Sequence, residues 1–432
     1  MSAAVRLDFE RARRGVRAGF GSLLIGLGAL ICTTPGARGQ EPEPRLAGLE
    51  LVLHEVHSSG RLDAQVLLDA LLIAGPRGQD ELMEALGPTR GILATSRRTE
   101  LERALVGVPR LVLERAEMPG LAPRRVELER HIALRILEEQ GSANDLQPLM
   151  RLVTPQDPKD RLDPRTAQRL TRTVARLSRR DGSTLTRLRQ LFGSLDPRLQ
   201  PTVLLGVGEV ESPETLRFLG EQLGEHEHLE LILMAQIGRI GEALGTRPDE
   251  RTRTQLLMEL ASTKVARRRE ACVALGRLEE PEATADLILL LDDDDPGVAH
   301  NAHWALERIS AKRLAADRLR WQRWFDDERE WWSSRATPVF ADLESGDPVA
   351  VSRAIRELAA QRLHRDHLAS RLAPHLHSSN DVIVLQALAA LRNLRSRACV
   401  DALEGLLGHG TPRVAEEARS VLEDLLGAIP AG

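Results

Sequence analysis

The sequence has no tyrosine, and aromatic residues fill only 3% of its 432 positions. Large sheets lean on aromatic and β-branched residues, so an all-β fold is not expected. The core has to be built from Leu, Ala, Val and Ile, which favours helices. Lysine is nearly missing: Lys159, Lys264 and Lys312 are the whole set among 59 basic residues, and the rest are arginine. Cysteine is scarce as well. Cys272 and Cys399 are separated by several helical repeats, beyond disulfide reach, and are read as small buried hydrophobes. The chain carries no G-x-S-x-G elbow, no G-x-x-x-x-G-K-[ST] loop and no H-E-x-x-H pair, so the common nucleophile, phosphate-loop and zincin motifs are excluded. The formal net charge of −4 argues against a general nucleic-acid binder.

What is present points to an extended array. Apolar residues make up 42%, enough to exclude wholesale disorder. One hydrophobic core stops growing at roughly 250–300 residues, so this length asks for several domains or for many small cores in series.

The first forty residues read separately. Arg6, Arg11, Arg13, Arg14 and Arg17 precede an apolar segment from Ala18 to Ile31. Thr33-Thr34-Pro35-Gly36 and the small-x-small pattern Ala37-Arg38-Gly39 follow. This is the layout of a secretory signal peptide over 1–39, with Gln40 as the mature start. An uncleaved inner-membrane anchor is the alternative, although the segment is shorter than the ~20 residues a spanning helix needs. After cleavage no transmembrane segment is expected. The localisation expected is periplasmic or secreted.

Beyond an extended leader at 40–45, apolar positions recur at helical spacing. Val414, Ala418, Val421, Leu422, Leu425 and Leu426 share one face, as do Val384, Leu385, Leu388, Leu391 and Leu394, each at period 3.6. Asp163-Pro164, Asp196-Pro197, Ser212-Pro213, Asp295-Pro296, Thr337-Pro338, Asp347-Pro348 and Thr411-Pro412 are each read as a capping side chain before a first-turn proline. The elements recur every 31–33 residues: Ala274-Leu275 precedes Ala305-Leu306, and Ala354 precedes Ala387 and Ala418. Two helices per period mean stacked pairs.

Residues Asp295 to Ile309, with Val298, Ala302, Ala305 and Leu306 in register, resemble the second helix of a HEAT repeat. The stretches 264–278, 347–358, 380–394 and 411–425 resemble it too. The resemblance implies an all-α fold, an α-solenoid of stacked antiparallel helix pairs. It also implies a surface that binds proteins. The family's Asp–Arg ladder is mostly missing, since Ala299 stands where an arginine is expected. The organisation expected is a helical N-terminal region at 46–160, HEAT-like repeats at 161–310, a Trp-rich helical insertion at 311–336 and further repeats at 337–432.

Two surfaces stand out as partner contacts. Arg165, Arg169, Arg172 and Arg176 follow i, i+4, i+7, i+11 and form a stripe suited to an acidic protein surface. All five tryptophans lie between 304 and 332. Trp321, Trp324, Trp331 and Trp332 share a helical face with Phe325, broken by Glu328. That face either packs on the array and fills a change in stacking, or serves as a binding hot spot.

Other constellations carry less. His54/His57, His300/His303 and His364/His367 are each one turn apart, with His375 and His377 following. They invite a metal-dependent enzyme as the alternative, but converging ligand sets are missing, and neither metal nor cofactor is expected. Asp292 to Asp295 lacks the spacing of a calcium loop and is read as a turn ending in a helix cap. The expected function is a non-enzymatic protein-binding scaffold of the cell envelope. A membrane-tethered structural module is the further alternative, and nucleic acid is not an expected partner.

Overall fold

The computed structural model describes residues 50, 52–54, 62–86, 95–116, 123–157 and 159–426. The signal-peptide reading and His57 fall outside the described residues. Among the described residues there is no strand; α-helices and short 3-10 turns account for the regular structure. The contacts divide the chain into two units, Met1–Gly206 and Val207–Gly432.

The first unit holds α1 (Ala64–Leu86), α2 (Thr95–Ala116), α3 (Pro123–Gln140), α4 (Leu146–Val153), α5 (Pro164–Arg180) and α6 (Ser183–Leu191). The unit boundary falls inside α7 (Gln200–Gly208). Helix α1 is broken at Gly75, whose φ of 67° lies in the left-handed region, just before Pro76. Glycine takes that conformation without a steric cost, and proline cannot continue the hydrogen-bond ladder. Helices α1, α2 and α3 pack on one another, and α5 packs on α3. In α5, Leu170, Val174 and Leu177 are buried at i, i+4, i+7, so the apolar stripe faces the stack.

The second unit holds α8 (Pro213–Gln222), α9 (Glu230–Leu244), α10 (Glu250–Glu259), α11 (Val265–Arg277), α12 (Thr284–Leu289) and α13 (Pro296–Ser310). It continues with α14 (Arg318–Ser334), α15 (Ala336–Leu343), α16 (Pro348–Leu358), α17 (Arg365–Leu372), α18 (Asp381–Leu394), α19 (Val400–Glu404) and α20 (Pro412–Leu426). The helices pair as α8/α9, α10/α11, α12/α13, α15/α16, α17/α18 and α19/α20. The second members stack in two runs, α9–α11–α13 and α16–α18–α20. This is the α-solenoid expected from the repeats.

Between the two runs the chain inserts α14, which packs on α12 and α15. The later run has its own apolar core, from Val339 to Leu425, with Trp331, Trp332 and Phe340 packed against it. Close stacking in the earlier run depends on glycine. A Cβ on Gly276 would lie 2.6 Å from Trp304 Cζ3 and 2.9 Å from the Ala305 Cα, so any larger residue pushes α11 and α13 apart.

Four of the seven cap–proline pairs act as caps. Asp163 accepts from the Thr166 amide, Ser212 from Thr215, Asp295 from Val298, and Asp347 from Val349 and Ala350. The other three are corrected. Asp196 is held by Arg198 in a turn before α7 begins at Gln200. Thr337 and Pro338 lie inside α15, where Pro338 sits in the first turn and removes no internal bond. The Thr411 hydroxyl donates to Asp381 at 2.7 Å, tying α20 to α18.

The Asp–Arg ladder judged mostly missing is partly present, through residues one repeat apart. Arg268 of α11 grips Asp293 with two bonds of 2.8 and 2.9 Å, and Arg269 grips Asp295 at 2.7 and 2.8 Å. Bidentate pairing fixes orientation as well as charge. Arginines also cover the carbonyls at helix ends. Arg180 donates to the carbonyls of Gly141 and Glu138 behind α3, and Arg308 donates to that of Gly276 in α11. A cation near a helix C-terminus meets carbonyls without internal partners and the negative end of the dipole.

Candidate functional site

The four arginines of the expected stripe do not share one fate. Arg169 donates to the His131 carbonyl at 3.2 Å, and Arg176 pairs with Glu139 and lies 3.5 Å from Glu138. Both reach back to α3. Arg165 and Arg172 are exposed and have no ion pair among the described residues. Arg135 of α3 stands beside this face and pairs with Asp80 of α1. Burial pushes the His131 imidazole below its usual range, and the charge of Arg169 pushes it further down. Burial lowers Arg135 as well, with Arg169 again adding to the effect.

The tryptophan helix is built into the array. Trp321 is 0% exposed and meets His303 of α13 edge-on at 5.9 Å and Trp324 at 5.4 Å. At the other end, Trp331 donates to Glu357 of α16 at 2.9 Å. Trp332 stacks on His364 at 3.6 Å, with His367 and Phe340 at its edge. One end of α14 therefore serves the earlier run of repeats and the other end the later run. Glu328 lies buried in the middle. Once the Gln361 amide is oriented to donate, its nitrogen lies 2.7 and 3.3 Å from the two Glu328 oxygens. Burial raises this carboxyl above its ordinary range, against the opposing charge of Lys312.

The histidine pairs do not converge. His54 and His300 are exposed, while His303 lies 2.8 Å from the Leu314 carbonyl. His364 and His367 flank the Trp332 ring, and burial lowers His364 first, with His367 second. No group of three or more His, Cys, Asp or Glu side chains suited to a metal occurs among the described residues. Cys272 and Cys399 are free and buried, and burial pushes their thiols up to about 12 and about 11. Such thiols are inert at neutral pH.

Two features escaped the sequence reading. The first is an ionic junction inside the second unit. Glu279 follows α11 with a φ of 47°, a left-handed position usually held by glycine. Its carboxylate accepts from Arg365 and, at 3.4 Å, from Arg362; its carbonyl accepts from Arg365 at 3.0 Å. Arg362 and Arg365 side chains are only 9% and 8% exposed. Alongside, Arg247 pairs with Asp366 at 3.0 Å, and Arg397 donates to the Leu244 carbonyl at the end of α9. The turns after α9 and α11 are thus bolted to the starts of the 362–377 and 397–407 segments. These partners lie 83 to 153 residues apart in sequence.

The second feature is a set of exposed aliphatic side chains in the first turn of second helices. They are Leu231 of α9, Val265 of α11, Val349 of α16 and Val382 of α18. Val349 and Val382 are 74% and 58% exposed, and their chain neighbours Pro348 and Ile383 line an open groove of about 670 Å³. Leu343, Pro348, Val351 and Ile383 line its apolar side; Glu344 and Arg371, paired at 2.6 Å, line its polar side.

No protein-family model matches this sequence, and no curated protein matches it. Solved structures to which the chain is similar include an engineered protein, at 16% identity over 88% of this chain and 98% of that one, with a TM-score of 0.31. Another is a karyopherin bound to the extreme C-terminus of a protein phosphatase, at 12% identity and a TM-score of 0.30; 89% of this chain is covered but only 51% of the karyopherin. A third is a designed armadillo-repeat protein in complex with the peptide (KR)4, at 14% identity over 74% of this chain and 99% of that one, with a TM-score of 0.17.

Proposed function

We propose that this chain is an exported, non-enzymatic scaffold of the bacterial cell envelope that holds a protein partner along the exposed starts of its second helices. The observation that carries this reading is the recurrence of an exposed aliphatic side chain in the first turn of four second helices, at Leu231, Val265, Val349 and Val382. A single surface aliphatic needs no explanation, but several at the starts of second helices offer apolar area whose burial by a partner is favourable, at about 25 cal/mol per Å². The groove lined by Pro348 and Ile383, next in sequence to Val349 and Val382, offers a seat beside two of them. Export rests on the basic, apolar and small-residue order of residues 1–39.

The test places a photo-crosslinking residue at Val349 or Val382 in the exported protein. A discrete protein adduct is expected from both sites, lost from each when the other exposed valine is replaced by aspartate. Adducts no more abundant than those from exposed Arg419 overturn the reading. Mass spectrometry of the mature N-terminus tests export separately: a start at Gln40 supports it, and an intact Met1 in the envelope fraction indicates the tethered form instead.

A further inference from the structure

The first unit carries a second, chemically different surface. Contacts between α3 and α5 relate positions 37 to 39 residues apart: Glu139 with Arg176, His131 with Arg169, and Gly141 with Arg180. The same offset sets Leu128 level with Arg165 along the two packed helices. Leu128 is 52% exposed. The result is a helix pair that carries exposed Arg165 and Arg172 on one member and the exposed aliphatic Leu128 on the other.

The carboxylates near this face are already engaged. Asp80 pairs with Arg135, Glu138 and Glu139 face Arg176, and Asp163 caps the Thr166 amide at 3.0 Å. Glu127 is the remaining acidic group acting on His131. Arg165 and Arg172 are exposed and have no ion-pair partner among the described residues.

The geometry selects the partner. Seven helical residues separate Arg165 from Arg172, a rise of about 10 Å. An extended chain of the polyproline type, with three residues per turn and about 3.1 Å per residue, places side chains i and i+3 on one side roughly 9 Å apart. Two carboxylates at that spacing meet both guanidinium groups, and an aliphatic residue between them reaches Leu128. Nucleic acid fits less well. Single strands are held by aromatic stacking, and Phe192, 1% exposed, is the only Phe, Trp or Tyr among the described residues of this unit.

We propose that the α3–α5 face formed by Leu128, Arg165 and Arg172 docks an acidic, extended polypeptide segment of the pattern Asp/Glu-x-x-Asp/Glu with an aliphatic residue inside it. This surface is independent of the exposed aliphatic side chains in the second unit, so either proposal can fail without the other.

The test is fluorescence anisotropy on the full chain with a labelled peptide carrying Glu-Leu-Pro-Glu in a Gly-Ser background. The comparison probes are the Gln-Leu-Pro-Gln peptide and an oligothymidylate of equal charge. The wild type is expected to prefer the acidic peptide. R165E/R172E is expected to weaken its binding by about ten-fold or more, as loss of two charge-assisted contacts requires. R413E/R419E, the same charge change on exposed arginines of α20, is expected to leave it within about two-fold. Bound peptide is also expected to raise the His131 titration midpoint in NMR, because carboxylates offset the field of Arg165 and Arg169. Thermal melts of both double variants check that each is folded. Equal binding of the acidic and amide peptides, an equal loss in both double variants, or tighter binding of the oligonucleotide overturns the proposal.

Discussion

Arg165 and Arg172 of α5 face solvent without an anionic partner, whereas Arg362 and Arg365 in the second unit are buried against Glu279. The two regions use the same side chain for opposite purposes. On α5 the charge stays hydrated, costs little and remains available to a ligand. At the Glu279 junction the charge has lost its water. Only pairing offsets that loss, because burying an unpaired guanidinium is strongly unfavourable. Guanidinium suits both settings: it stays charged at any ordinary pH and is more weakly hydrated than an ammonium. Arginine content alone therefore says nothing about binding; the count of reachable carboxylates decides it.

The comparison is tested most severely at Glu279. Glu279→Gln keeps the shape but removes the charge facing Arg362 and Arg365. Breaking one side of a buried pair is expected to cost about 3–5 kcal/mol, read as a lower denaturant midpoint with an unchanged slope. Glu279→Gly relieves the left-handed backbone yet loses the same charge, so it should still be less stable than wild type. A loss below about 1 kcal/mol in both would mean that the junction is as solvated as the α5 face.

The two regions also differ in how far the sequence revealed them. The α5 stripe was legible because its residues share one helix and one period. Repeat length, the apolar stripes and four cap–proline pairs were legible for the same local reason. The junction was not, since its partners lie up to 153 residues apart and Glu279 occupies a position where glycine is the usual signal. Asp196 misled because Arg198 competes for the capping oxygen, which local spacing cannot show. Trp321, Trp331 and Trp332 were legible as one face of a helix. The structure adds that this face joins two runs of repeats, leaving Arg165 and Arg172 as the members of the expected site with open surface around them.

An intermediate case is the Arg268–Asp293 pair, where the side chains are 16% and 8% exposed. The hydrogen bonds from Arg268 hold the Asp293 carboxyl below its ordinary value. A depressed folded pKa stabilises the protein above the unfolded pKa, about 3.9 for aspartate, and that contribution is lost as pH falls through the folded value. Arg268→Ala removes the largest cause of that shift. Its melting temperature should lie below wild type at neutral pH, and the gap should narrow as pH drops below about 4. A gap that stays constant from pH 7 to pH 2.5 would place the effect in packing rather than in charge.

The smallest effect is expected where the sequence looked most charged. Replacing Arg165 and Arg172 by alanine should leave stability within about 0.5 kcal/mol of wild type, the range for surface positions without special contacts. Its sign can be argued. Arg165 adds to the positive field that keeps the His131 midpoint low, so its loss relieves repulsion and raises that midpoint. Any gain should show at low ionic strength and fade near 0.5 M salt, where screening is effective within about 5 Å. A loss comparable to that of Glu279→Gln would instead make these two arginines part of the fold. They would then have a partner that holds them, and the α5 face could not be the open half of the comparison.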